Sequence, residues 1–331
     1  SMGISVGVIG AGYWGKNIVR NLLSLPGHGD VWIYDQRRSV AEELSAAYPT
    51  LKVASSLEEL LKNDNLQALM VVTPPSEHYS LGKKILEAGK HLYVEKPFVT
   101  SMREATELIE DAERKNLRLM SGHTFLYSPA VRKIRDLVMS GDLGKIHFFS
   151  FRRVNLGIHR SDVNVVWDLL PHDLSMLLYW LGEDEELQEG GAFMKTVYGN
   201  HPDVAFLSLS FRSGAVAEGL VSWLSPRKIR ETLIVGDRKM VVYNDMELEE
   251  KIKVYDKKIE ALEPKDFGEY HLSYRAGDVM SPHIDGTEPL TLMVKDFVES
   301  IREGRAPLSD GLFALRVVRG ILTLLERGRF S

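Results

Sequence analysis

The stretch Gly10-Ala11-Gly12-Tyr13-Trp14-Gly15 narrows the folds open to this chain more than any other. It follows an apolar run at residues 4–9 and precedes an amphipathic run beginning at Lys16, so its GxGxxG spacing falls between a predicted strand and a predicted helix. There Gly10 permits a tight turn, Gly12 lets a pyrophosphate approach the backbone, and Gly15 allows close helix packing, while the helix N-terminus offers free N–H donors. Tyr13 and Trp14 share that loop and join the candidate cofactor-binding residues. Asp35 ends the second predicted strand, where a carboxylate accepts bonds from ribose hydroxyls and repels a 2′-phosphate, so NAD is the expected cofactor. Arg37 and Arg38 keep NADP open, because either can clamp a 2′-phosphate; as solvated charges they need no ligand at all.

Short apolar runs at residues 4–9, 31–34, 68–72, 92–94 and 117–120 alternate with amphipathic stretches, the pattern of βαβ units and a doubly wound parallel sheet. Ser56 with Glu59 and Ser101 with Glu104 fit capping boxes, and Gly89 fits a helix stop. At 331 residues the chain suits two domains, divided here into 1–122 and 123–331 with Gly122 at the crossing. Ser128-Pro129 opens a helix to Met139. A run at 145–154 then reads as a strand, and runs at 193–198, 204–211, 215–222, 228–235 and 239–243 read as an antiparallel meander. Amphipathic runs at 290–301 and 312–325 read as closing helices packed back on the first domain.

Bulk properties exclude several classes of function. A net charge of −5 gives no support for nucleic-acid or anionic-membrane binding. No apolar run is long enough to span a bilayer and no signal-peptide plan is present, so a cytoplasmic protein is expected. The absence of cysteine removes disulfides, thiol nucleophiles and thiolate metal ligands together.

Three further stretches carry candidate chemistry. The predicted strand at 92–94 stops at Glu95-Lys96-Pro97, which sets a carboxylate and an ammonium at the carboxyl edge of the sheet, where open α/β sheets bind ligands. A lysine beside a nicotinamide can hydrogen-bond a substrate oxygen and lower the cost of its developing charge. In Thr73-Pro74-Pro75-Ser76-Glu77-His78 the prolines stop a strand and Ser76 can cap the next helix; contacts from Thr73, Pro74 and His78 to the cofactor's ribose are an equal reading. Arg152, Arg153 and Arg160 bracket Asn155, a set suited to a carboxylate or pyrophosphate, or else the polar residues of an exposed sheet.

The run from Val166 to Leu178 becomes helical in period, and Asp168 and His172 share one face if both lie in its first turns. Pro171 is tolerable only near the helix start, and Asp173 reads as a helix N-terminal charge. A histidine that takes a hydroxyl proton while hydride leaves the same carbon works best with a carboxylate to orient it. No third ligand at a metal-binding spacing accompanies the pair, so no metal is expected.

Taken in register, the glycine loop, the Thr73 to His78 turn, Ala88-Gly89-Lys90-His91 and Glu95-Lys96-Pro97 make the chain resemble the glucose–fructose oxidoreductase / inositol dehydrogenase / MocA family over its full length. The resemblance implies a Rossmann domain followed by an α+β domain with an open, mainly antiparallel sheet that carries substrate and an oligomer interface. It assigns the nicotinamide ribose to Glu95, proton transfer or substrate polarisation to Lys96, and a cis peptide bond to Lys96-Pro97. It also makes Asp168 and His172 the second catalytic element. The expected function is oxidation of a secondary hydroxyl of a sugar or nucleotide-linked sugar by an NAD(P)-dependent homodimer or homotetramer. Two alternatives stand beside it: a dehydrogenase of free sugars or inositols, and a non-catalytic cofactor and sugar sensor.

Overall fold

A computed structural model describes residues 3–157, 162–256, 258–262, 271–275 and 277–330, the segments 258–262 and 271–275 as backbone alone. The chain begins β1 (Val6–Ile9), α1 (Tyr13–Ser24), β2 (Val31–Tyr34), α2 (Arg38–Ala47), β3 (Lys52–Val53), α3 (Leu57–Lys62), β4 (Ala68–Val71), α4 (His78–Glu87), β5 (His91–Val94), α5 (Met102–Arg114) and β6 (Leu119–Ser121). Then come α6 (Pro129–Met139), β7 (Ile146–Leu156), α7 (Val165–Leu181), β8 (Leu187–Lys195), β9 (Val204–Phe211), β10 (Val216–Ser222), β11 (Leu224–Gly236) and β12 (Met240–Asn244). The last elements are β13 (Ile252–Tyr255), β14 (Lys258–Leu262), β15 (His271–Arg275), β16 (Val279–Met280), α8 (Pro289–Glu303), α9 (Gly311–Glu326) and β17 (Arg329–Phe330).

Contacts divide the chain into two compact units, residues 1–128 with 287–322, and residues 129–286 with 323–331. The first unit holds a six-stranded parallel sheet in the order β3-β2-β1-β4-β5-β6. Every residue of β1 and of β4 is buried, as in strands covered by helices on both faces. Ser56 and Ser101 accept from the backbone N–H of Glu59 and Glu104, so both expected caps form. Ser76 does not cap: Pro75–Glu77 form a 3-10 turn that feeds α4 directly, with Glu77 at its N-cap and no side-chain cap bond. Within this unit Thr291 of α8 donates to Asn21 of α1, and Asp296 accepts from Tyr127 at 2.6 Å.

The second unit holds a nine-stranded sheet, β16-β13-β12-β11-β7-β10-β9-β8-β17. It is mainly antiparallel but not a meander, because β7 lies between β11 and β10 and runs parallel to β10. Alternation in β7 decides what each of its faces does. Phe149, Phe151 and Arg153 are buried on the face covered by α7, where Phe149 stacks on Trp180 with centroids 6.2 Å apart. Phe148 and Arg152 project from the other, exposed face. The apolar α7 is buried on nearly every side, which ties it to the sheet irrespective of helix propensity.

Candidate active site

In the first unit the glycine loop runs from β1 into α1. Gly10 has φ of 110°, a value that favours glycine, and a Cβ on Gly15 would stand 1.8 Å from the Gly10 carbonyl oxygen. A Cβ on Gly12 would meet nothing within 4 Å, so the space above the loop is open. Gly12 is the N-cap of α1 and supplies no side-chain cap, which leaves the first-turn N–H donors facing that space. The Asp35 carboxylate accepts from the backbone N–H of Ala11 and of Arg37, both at 2.8 Å, and is fixed at the mouth of a cleft of about 340 Å³ that Thr73 and Pro74 also line. The Thr73 hydroxyl is buried there without a hydrogen-bond partner among the described residues. Open glycine backbone, free helix donors, a preset carboxylate and an orphaned hydroxyl fit a dinucleotide.

Arg37 and Arg38 differ in what occupies them. The Arg37 guanidinium is 74% exposed and only 3.8 Å from Asp35, whereas Arg38 pairs with Glu42 one helical turn on. Tyr13 is 80% exposed beside Trp14, with ring centroids 5.8 Å apart. His78 does not line the cleft. It is fully buried, with Nδ1 2.8 Å from the Pro97 carbonyl oxygen and Nε2 2.9 Å from that of Thr73.

At the end of β5, Glu95 is buried and its Oε2 accepts from the Tyr93 hydroxyl at 2.8 Å. Gly122 makes room for that pair, since a Cβ there would lie 2.4 Å from the Tyr93 oxygen and 2.7 Å from Glu95 Oε1. Lys96 is half-buried, and the Lys96-Pro97 peptide bond is cis. His123, absent from the sequence-based site, follows β6 with both ring nitrogens buried and unpartnered among the described residues. Burial, and then the charge of Lys96, hold His123 at about 3, so the ring is neutral.

In the second unit Asn164 caps α7 and accepts from Trp167 N–H. Pro171 sits in the second turn, where its missing N–H leaves the Trp167 carbonyl without its helical donor. Asp168, Leu169 and His172 form a half-exposed stripe on this otherwise buried helix. The indole N–H of Trp223 donates to Asp168 Oδ2 at 2.8 Å, an anchor that sequence reading missed. A Cβ on Gly157 would stand 3.4 Å from both Asn155 Oδ1 and Trp223 Cδ1, and that Oδ1 is buried with no partner among the described residues. Asn155, Asp168, His172 and Trp223 thus gather on one side of the sheet. Arg152 leaves from the opposite side, and Arg160 lies outside the described residues. Asp173 is not an N-terminal charge: it is 2% exposed in the third turn and accepts from Arg153 Nε at 2.9 Å and Nη2 at 3.2 Å.

Residues 4–123 match the model of an oxidoreductase family with an NAD-binding Rossmann fold, and residues 131–242 match that of the GFO/IDH/MocA C-terminal domain. The chain belongs to this Gfo/Idh/MocA oxidoreductase family. It is 28% identical over 213 residues to UDP-N-acetylglucosamine 3-dehydrogenase of Acidithiobacillus ferrooxidans, covering 64% of each chain. It is 26% identical over 220 residues to myo-inositol 2-dehydrogenase of Thermotoga maritima, covering 64% of this chain and 66% of the other. The chain therefore spans just under two thirds of the length of these relatives. The solved structure of the first matches with a TM-score of 0.80 at 22% identity over 98% of this chain and 97% of that one. KijD10, a 3-ketoreductase from Actinomadura kijaniata solved with TDP-benzene and NADP, matches at 0.77 and 20% identity over 99% and 98%. These structural likenesses show the fold.

Proposed function

We propose that the protein oxidises a secondary hydroxyl of a sugar or nucleotide-linked sugar by hydride transfer to NAD, with His172 as general base and Lys96 polarising the reacting oxygen. The nicotinamide, when bound, accepts the hydride. His172 takes the hydroxyl proton on a ring nitrogen as the C–H electron pair leaves, and the hydroxyl carbon becomes a carbonyl carbon. Lys96 Nζ donates a hydrogen bond to that oxygen, which offsets the negative charge it gains. Asp168, held by Trp223, orients the imidazole, and Asn155 offers its buried amide oxygen to a substrate hydroxyl.

The observation that carries this reading is the Asp168 and His172 stripe, the accessible side of a helix buried on its other sides. Both groups titrate, share one face at four-residue spacing and stand where a ligand can reach them, which marks a candidate site. The names of the relatives support a polyol or a nucleotide-linked sugar, and the 3-ketoreductase of the same fold keeps the reverse direction in view. Cytoplasmic placement, and a homodimer or homotetramer closing over the exposed sheet face of Phe148, Phe193, Phe206 and Val216, complete the proposal.

The test is nicotinamide absorbance on mixing protein and NAD, then NADP, with panels of UDP-sugars, aldoses and inositols. Reduction confined to one class supports the reading. Cofactor binding without turnover across all panels contradicts it and favours a sensor.

A further inference from the structure

Strands β7 and β11 bring together charges that the reaction above does not use. Arg153 and Arg230 are direct cross-strand partners, so both project onto the face that α7 covers. Arg153 is paired with the buried Asp173 carboxylate through Nε and Nη2. Arg230 has a weaker arrangement. Its Nη1 is 3.8 Å from Asp245, a carboxylate that Lys251 also approaches at 3.5 Å and to which the Tyr243 hydroxyl donates at 3.0 Å. Lys228 lies two residues before Arg230, in the irregular part of β11, near enough to feel the charges of Arg230, Arg153 and Asp245. It is exposed and has no ion-pair or hydrogen-bond partner among the described residues.

Like charges set opposite one another across two strands repel. That repulsion acts here: the Lys228 ammonium is held below its ordinary value chiefly by Arg230, and the Arg230 guanidinium by burial and then by Arg153. The carboxylates that bear on Arg230 are Asp245 and Asp173. Glu231, the next residue along, projects to the opposite face beside Arg152. Four cations, Arg153, Lys228, Arg230 and Lys251, thus answer to two carboxylates, and the set keeps an excess of two positive charges. Asp173 ties this set to the candidate site, because it follows His172 directly on α7.

We infer that Lys228 and Arg230, backed by Arg153, form a subsite for the diphosphate of a nucleotide-linked sugar. The inference rests on the sugar dehydrogenase reading and names its substrate class. A diphosphate diester carries two negative charges, equal to the excess, whereas the carboxylate of a uronate carries one. Arginine's planar fork meets paired phosphoryl oxygens, and Lys228 adds a mobile point charge at the exposed end. A free polyol has nothing to offer such a set.

The test is calorimetric titration of UDP into NAD-saturated protein, at low and at raised salt, for the wild type and for Lys228→Met, Arg230→Met and Lys228→Arg. Inorganic pyrophosphate and glucuronate serve as parallel probes. Lys228→Met is the safe variant for folding, since its side chain is exposed and unpaired; retained thermal unfolding and NAD binding check this. Each methionine variant is expected to weaken UDP about tenfold and flatten its salt dependence, Lys228→Arg to restore affinity, and glucuronate to bind far more weakly than UDP. Equal UDP affinity in wild type and both methionine variants overturns the subsite, as does no saturable UDP binding to wild type or glucuronate bound as tightly as UDP. Turnover plays no part in this readout. Charge-dependent UDP binding in a protein that oxidises nothing defeats the dehydrogenase reading alone, and an active dehydrogenase with charge-independent UDP binding defeats the subsite alone.

Discussion

The imidazole of His78 bridges the two loops that leave the paired ends of β4 and β5: Nδ1 lies 2.8 Å from the Pro97 carbonyl oxygen, and Nε2 lies 2.9 Å from that of Thr73. The turn that lines the cofactor cleft and the loop that carries Lys96 are therefore fixed to each other through one buried ring. His78→Ala leaves both carbonyls without this partner and opens a cavity. The expected cost is about 2–4 kcal/mol in urea unfolding, with weakened NADH binding. A loss below about 1 kcal/mol with unchanged binding rejects the role.

Gly122 is a second fixed point. Adding a methyl group there strikes the Tyr93 hydroxyl and Glu95 Oε1, so Gly122→Ala displaces the buried carboxylate expected to hold the nicotinamide ribose. NADH affinity, followed by its fluorescence, should fall about tenfold or more while the sheet stays folded by circular dichroism. Unchanged affinity means that Glu95 does not serve the cofactor.

How much of this was legible in advance follows from how local each signal is. The glycine loop, Asp35 and the caps at Ser56 and Ser101 depend on neighbours within a few residues, and the chain shows them directly. The two-residue β3 is too short to display a period. The place of β7 between β10 and β11 depends on partners some seventy residues away, which no alternation within β7 encodes. Pro171 places the helix start close before Asp173 if the sequence alone is followed; the Asn164 cap moves that start back and turns Asp173 inward onto Arg153. Trp223 sits at a junction between two strands, and its bond to Asp168 crosses 55 positions. The pairing of Arg230 with Arg153 crosses more than seventy positions and is set by the register of β11 on β7, which neither strand shows alone.

Cofactor choice should follow Asp35. Replacing it with serine removes the carboxylate that would repel a 2′-phosphate and leaves Arg37 free to meet one. The ratio of kcat/KM for NADP over NAD should rise by about tenfold to a hundredfold in Asp35→Ser. A ratio unmoved by the change removes Asp35 from selectivity.

Acid sensitivity has a defined sign. His123 is held at about 3 in the folded protein against 6.5 when unfolded, so the unfolded chain binds the extra proton and stability falls as pH drops from 6.5 toward 3. His91, held at about 4 by burial and then Arg118, adds to the same limb. Relative to neutral pH, His123→Phe should abolish about 2–3 kcal/mol of the loss seen at about pH 4.5 in denaturant titrations. An acid limb identical in wild type and variant contradicts the buried neutral state.

The central claim is that Lys96 and His172 together carry hydride transfer, and the direct test is nicotinamide reduction by Lys96→Ala and His172→Ala with the substrate class the panel identifies. Both variants should bind NADH as the wild type does, yet lose about 10²- to 10⁴-fold in kcat, with the His172→Ala rate no longer dependent on pH near neutrality. A variant of either residue that keeps its cofactor and turns over within a few-fold of the wild type contradicts the assignment.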